Sequence, residues 1–177
     1  MPEILSSRTA FENRWVRLEE DRIRLPDGLE IDSVYVRRPR FVIVAALEEG
    51  ALWMVEQYRH PLGRRSLELP MGLAPNAEAI PIEEAAAIEL REETGLRAAR
   101  FEHAGEVAPA PALLAQTGAL MVATGLALGE PEREDTEQDL TAAPWPVADV
   151  LEAAVSGEIV DGVTLSALGL LRLKGRV

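Results

Sequence analysis

Residues 82–94, IEEAAAIELREET, read as a helix whose core-facing stripe carries carboxylates, and few folds accommodate such an element. The segment is rich in Ala, Glu and Leu and has no breaker inside it. Pro81 suits the first helical position, Glu83 and Glu84 suit the positive end of the dipole, and Gly95 suits the C-terminal stop. At about 100° per residue, Ile82, Ala85, Ala86 and Leu90 form one apolar arc. Glu89 and Glu93 fall within that arc and Glu92 on its edge, while Glu84, Ala87 and Arg91 occupy the opposite side. Like charges at three- and four-residue spacing repel by roughly 3 kcal/mol per pair at ~5 Å and an effective dielectric of ~20. Buried carboxylates without a partner would take up protons or break the helix. A divalent cation removes both difficulties, because these spacings bring the oxygens together on one face. The acids then read as a metal site rather than as a solvated acidic face.

Composition narrows the metal. The 177 residues include no cysteine, which excludes disulfides, thiolate zinc sites, iron–sulfur clusters and cysteine nucleophiles. Only His60 and His103 supply imidazoles, so an ion here is held by oxygens, which favours magnesium, manganese or calcium. The formal net charge of −12 argues against nucleic acid or an anionic membrane as partner, and it admits an anionic substrate only where a cation screens the site. An apolar fraction of 47% with 27% charged residues is that of a globular domain. The most apolar stretch, residues 112–128, is broken by Gln116, Thr117, Gly118 and Gly125 and reads poorly as a membrane span. Residues 1–15 carry charges and no apolar core, so no secretory signal is read there, and the cytoplasm is the expected location.

The first third of the chain reads as strands. Residues 15–18 and 22–25 alternate, Pro26-Asp27-Gly28 is a turn, and 29–36 alternate again. Residues 41–47 are a denser apolar run, which Glu48-Glu49-Gly50 turns into a second strand at 51–57. Beyond the helix come a short segment at 104–108, a bend at Pro109 and Pro111, a strand within 119–128 and an acidic loop at 130–139. Two helices close the chain, at about 147–155 and 162–173, with Asp161 as the cap of the second. Strands first and helices later predict an α/β protein with a mixed sheet and helices on its faces.

Upstream of the helix lies Leu67-Glu68-Leu69-Pro70-Met71-Gly72-Leu73, where a glycine lets backbone carbonyls approach a ligand. Arg59, Arg64 and Arg65 precede it; beside a carboxylate–metal cluster they are candidates for gripping a phosphate or diphosphate. The stretch as a whole resembles the Nudix box: Gly72, five residues, Glu78, and then Glu89-Leu90-Arg91-Glu92-Glu93-Thr94-Gly95-Leu96. Glu56-Gln57-Tyr58-Arg59-His60-Pro61 before it, and Gly157-Glu158-Ile159-Val160-Asp161 with residues 164–168 after it, resemble the ADP-ribose pyrophosphatase branch of that family.

The resemblance implies a Nudix-type α/β/α sandwich over residues 39–177, preceded by an N-terminal antiparallel β subdomain over 1–38 through which two copies would pair as a homodimer. It implies hydrolysis of a nucleoside diphosphate linked to another moiety, with Mg2+ or Mn2+ as cofactor. A nucleotide sugar such as ADP-ribose is the expected small-molecule substrate, giving a nucleoside monophosphate and a sugar phosphate. Glu89, Glu92 and Glu93 would hold the metal with the carbonyl of Met71. Arg59 and Arg64 would bind substrate with help from Glu68. Glu92, Glu93 and a loop glutamate would serve catalysis; Glu137 is the choice for the last, with Glu132 and Glu134 as competitors.

Two features depart from the box. Ile88 stands where the family has Arg, and nine residues rather than seven separate it from Glu78. A Nudix-fold protein that binds a nucleotide or partner without turnover is therefore the alternative reading. An arginine at 88 would reach Glu92 four residues on, an interaction worth about 0.3–0.5 kcal/mol when exposed. Ile88→Arg is expected to leave hydrolysis unchanged or raise it, and a clear loss in steady-state rate would show that the local geometry has been rebuilt around Ile88.

Overall fold

The computed structural model describes residues 1–73, 80–132 and 139–177; Glu78, Glu134 and Glu137 lie outside the described residues. Eleven strands and three α-helices are described: β1 (Glu3–Glu12), β2 (Arg17–Arg24), β3 (Glu30–Arg37), β4 (Phe41–Glu48), β5 (Ala51–Arg59), β6 (Arg64–Glu68), β7 (Met71–Leu73), α1 (Ile82–Thr94), β8 (Leu96–Val107), β9 (Leu114–Ala115), β10 (Gly118–Leu128), β11 (Thr141–Pro146), α2 (Val147–Ser156) and α3 (Gly162–Leu173). By contacts the chain forms two units, Met1–Pro39 with Ala108–Thr117, and Arg40–Val107 with Gly118–Val177. A boundary at 38/39 was expected, with the proline-rich bend assigned to the second part. In the structure residues 108–117 fold with the first unit instead.

That first unit is a four-stranded sheet in the order β1-β2-β3-β9. The strand β1 belongs to the N-terminal antiparallel strands that the resemblance implied, but the first alternation legible in the sequence starts only at residue 15, and the reason is visible in the burial of β1. Nearly every residue of β1 is exposed, so it carries no apolar alternation to read. Its pairing with β2 is accompanied by cross-strand charge pairs, Arg8 with Glu20 and Arg24 with Glu3. The strand β2 runs unbroken through residues read as two short alternations. The bend returns β9 parallel to β3, with the Val36 N–H donating to the Leu113 carbonyl at 2.8 Å and the Gln116 amide to the Pro39 carbonyl at 2.7 Å.

In the second unit the dense apolar run becomes β4, buried on both faces. Val42, Val44 and Ala46, with Ala119, Met121 and Ala123 of β10, pack on Ala85, Ala86 and Leu90 of α1. The intervening Ile43 and Ala45, with Leu120 and Val122, pack on Val150 and Ala153 of α2 and on Ala167, Leu168 and Leu171 of α3. A strand buried on both sides has no polar face, which is why its sequence reads as continuous rather than alternating. Helices thus cover both faces of a mixed seven-stranded sheet, the α/β/α sandwich that was expected. The path is β11-β5-β4-β10-β8, with β6 beside β5 and β7 beside β4; β4 and β10 run parallel.

The hairpin turn at Glu49 and Gly50 has positive φ at both residues, 50° and 78°, as a two-residue type I′ connection requires. The strands β4 and β5 pair only beside this turn, at Leu47↔Leu52 and Glu48↔Ala51. Beyond it β5 diverges to pair with β6 and β11, and the first half of β4 is free to take β7. The edge strand β11, Thr-Ala-Ala-Pro-Trp-Pro, was not read from the sequence; its prolines tolerate an edge position, where a missing N–H need not break a ladder. The strand β8 begins at Leu96, well before the segment read at 104–108.

The helix α1 ends where expected, with Gly95 left-handed at φ 75° and its N–H donating to the Arg91 carbonyl at 2.9 Å. A Cβ on Gly95 would also lie 2.5 Å from the Gly129 carbonyl oxygen. Gly95→Ala is expected to destabilise the fold by more than the ~1–2 kcal/mol of a left-handed L-residue alone. Urea titration against the parent protein measures this.

Candidate active site

The corner Leu69-Pro70 between β6 and β7 gathers Arg59, Glu68 and Glu93, which the sequence singled out, together with Val44 and Thr164, which it did not. From β4, the Val44 N–H donates to the Pro70 carbonyl at 2.8 Å. From α1, the Glu93 carboxylate accepts the Met71 N–H at 3.0 Å. From α3, the Thr164 hydroxyl accepts the Leu69 N–H at 3.1 Å. From β5, Arg59 donates from Nε to the Glu68 carboxylate at 2.9 Å and from its second fork nitrogen to the other oxygen. Pro70 has no N–H to satisfy, so the corner can be buried without an orphan donor there.

The acids here are buried. Glu68 is 2% exposed, Glu93 1% and Glu89 7%. Glu92, at the edge of the stripe, is half-buried. The wheel reading of α1 therefore matches the side that α1 turns inward. The Arg59 guanidinium is raised above its ordinary pKa, first by its hydrogen bond to Glu68, against the opposing effect of burial, with Glu93 and Asp161 adding attraction. One cation is thus shared among carboxylates from β6, α1 and the α3 cap.

Gly72 has a role that the sequence did not disclose. Its φ lies outside the left-handed region, so backbone freedom does not explain it. A Cβ there would overlap both carboxylate oxygens of Glu89. The glycine leaves room for that carboxylate beside β7.

Two other arginines are engaged elsewhere. Arg65 donates to Glu56 Oε1 at 3.0 Å, to Asp139 Oδ2 at 3.0 Å and to the main-chain carbonyls of both residues. Asp139 also accepts the Tyr58 N–H at 2.9 Å; that bond first, and Arg65 after it, hold the carboxyl below its ordinary pKa. Arg65 therefore ties the exit of the acidic loop to β5. Arg64, exposed, donates to the Glu158 carbonyl at 3.3 Å, on the segment leading into α3. Glu132 pairs with Arg91 of α1 at 3.2 Å, on the face opposite the buried acids.

Comparison with known proteins places this geometry in a family. The NUDIX domain model matches residues 36–160, and the Nucleoside diphosphate sugar hydrolase N-terminal domain model matches residues 3–36. The chain is a Nudix hydrolase. An ADP-ribose pyrophosphatase of Mycobacterium tuberculosis (strain ATCC 25618 / H37Rv) is 34% identical over 94% of this chain and 81% of its own. A methanol dehydrogenase activator of Bacillus methanolicus is 30% identical over 96% of this chain and 92% of its own. Among solved structures, an ADP compounds hydrolase superposes with a TM-score of 0.85 at 23% identity, covering 99% of this chain and 97% of that one, a likeness of fold.

Nudix hydrolases generally use divalent metal ions, and the residues of this Nudix hydrolase fit one in their chemistry. Glu89 and Glu93 are hard oxygen donors on the inward face of α1, and the space at Gly72 is kept clear for one of them. Among the described residues, no three His, Asp or Glu side chains stand together in a geometry that would hold an ion as placed. No described helix is long and apolar enough to cross a membrane.

Sequence reasoning missed Thr164, Asp139 and the reason for Gly72. Asp161 was read as a cap, and it does accept the Thr164 N–H at 2.6 Å; the contact of the Thr164 side-chain hydroxyl belongs to tertiary structure. Gly72→Ala should push only the Glu89 carboxylate aside, since the colliding atoms end a flexible side chain. We expect stability within about 1 kcal/mol of the parent, as is usual without a cavity or buried polar loss. Turnover should fall about 10–100-fold, as when a metal ligand is misplaced. Parallel urea and steady-state measurements separate the two effects.

Proposed function

We propose that this Nudix hydrolase cleaves the diphosphate of a nucleotide sugar, ADP-ribose in the first instance, with Mg2+ or Mn2+ as cofactor. The observation that carries this reading is the pair of buried carboxylates, Glu89 and Glu93, turned toward Met71 and Gly72. In that role Glu89, Glu92 and Glu93 hold the cation, with the carbonyl of Met71 as a further oxygen. A divalent ion held there would polarise the phosphoryl oxygens and lower the pKa of water. Glu68 holds the Arg59 fork, leaving the remaining guanidinium N–H groups to face the diphosphate. Arg64 contributes positive charge at the start of β6. Glu137 serves as base or extra ligand from the acidic loop. Water adds to one phosphorus, the bridging P–O bond breaks, and a nucleoside monophosphate and a sugar phosphate leave. Two copies pairing through the β1–β3 sheet complete the reading, with the cytoplasm as location; light scattering reports the mass in solution.

The name of the Mycobacterium tuberculosis relative supports ADP-ribose as the first substrate to try, and the charge of −12 supports a small metal-bound anion over a long nucleic acid. The test is a chromatographic product assay over ADP-ribose, GDP-mannose, dinucleotides and nucleoside triphosphates, with Mg2+, with Mn2+ and with chelator. Metal-dependent release of AMP from ADP-ribose is expected. No turnover on any member would favour the binding-protein alternative raised by Ile88. Glu93→Gln keeps an amide oxygen to accept the Met71 N–H, so the fold should be retained. Turnover should fall at least about 100-fold, and full activity in this variant would overturn the assignment.

A further inference from the structure

The two helices that cover opposite faces of the sheet, α1 and α3, meet the same three residues of chain. Glu93 of α1 takes the Met71 N–H, and Thr164 of α3 takes the Leu69 N–H. Between these bonds lies only Pro70, whose ring fixes φ and leaves little freedom to absorb an error at either end. Thr164 is completely buried, and its position along α3 is set by the Asp161 cap, which accepts the Thr164 N–H. Asp161 lies close enough to Arg59 to raise its pKa, so the same helical turn bears on the cation that Glu68 grips. The Thr164 hydroxyl is not needed to cap α3, because the Asp161 carboxylate caps that helix by accepting the Thr164 main-chain N–H.

We propose that Thr164 is a positioning residue for the α1 carboxylates. Its hydroxyl sets the height of the Leu69-Pro70-Met71 corner, and that height determines where Glu93 is held. Without the hydroxyl, the buried Leu69 N–H loses its acceptor and the corner shifts to find another. Met71 then moves relative to Glu93, and the oxygens that face the cation spread apart. Groups that act through a ligand in this way typically change affinity or rate 10–100-fold. The proposal rests on the reading of Glu93 as a metal ligand given above.

The test uses the full chain and two readouts, Mn2+ affinity by electron paramagnetic resonance of the free ion, and kcat and KM on ADP-ribose. Thr164→Val removes the acceptor at nearly constant shape, Thr164→Ala removes it without added bulk should the valine variant not fold, and Thr164→Ser keeps it. We expect the Mn2+ dissociation constant to rise and kcat to fall by about tenfold or more in the first two. KM should change little, and the serine variant should stay within about twofold of the parent. Parent-like Mn2+ affinity in a folded Val or Ala variant overturns the proposal, as does an equal loss in the serine variant, which would assign the effect to packing. Glu93→Gln is measured beside them. If it binds Mn2+ like the parent, the metal-ligand reading itself has failed; if it loses Mn2+ while Thr164→Val does not, only the positioning role has.

Discussion

The hydrogen bond from the Met71 N–H to the Glu93 carboxylate joins a helix on one face of the sheet to a chain segment threaded between strands. It can form only because β4 and β5 part company after their hairpin. Had β5 stayed beside β4 for its whole length, Val44 would have no opening through which to take the Pro70 carbonyl, and β7 would have no edge to join. The divergence of one hairpin therefore creates the place, and the corner fills it. Glu93, Thr164, Arg59 and Val44 then hold the corner from four separate elements.

Burying carboxylates this deeply is costly unless each has partners. Glu68 meets the cost with a two-pronged guanidinium, and Glu93 with a main-chain donor. Among the described residues Arg59 meets Glu68 along one edge of its guanidinium, through Nε and one terminal nitrogen. A site for a diphosphate in a protein of charge −12 depends on such local arrangements, since the overall field repels its substrate.

What could be read from the sequence divides along physical lines. The helix α1 was legible because its apolar positions follow the helical period, and its acids stood out as exceptions to it. The strand β4 was legible because burial on both faces leaves no polar residue to interrupt the run. The strand β1, with almost no buried side, and β11, with two prolines, lack any such pattern and are defined by pairing alone. At the site, residue types pointed to Glu89, Glu92 and Glu93, but not to what each touches. Gly72 was read as a place where backbone meets ligand; only the fold shows that its hydrogen also leaves room for Glu89. Arg59, Arg64 and Arg65 looked alike in sequence; only the fold gives one to Glu68, one to the Glu158 carbonyl and one to Asp139.

The return of residues 108–117 to the N-terminal sheet bears on the order in which the chain can mature during translation. Three strands of that sheet emerge from the ribosome first, and the fourth follows only after β4 to β8 have been made. Vectorial folding, in which an N-terminal unit is finished before the next begins, can therefore build β1 to β3 but cannot complete this sheet until residues 114–115 have been made. The nascent N-terminal hairpins must wait with an unpaired β3 edge, and their wealth of charged side chains is a natural safeguard against pairing with a neighbouring chain in that interval.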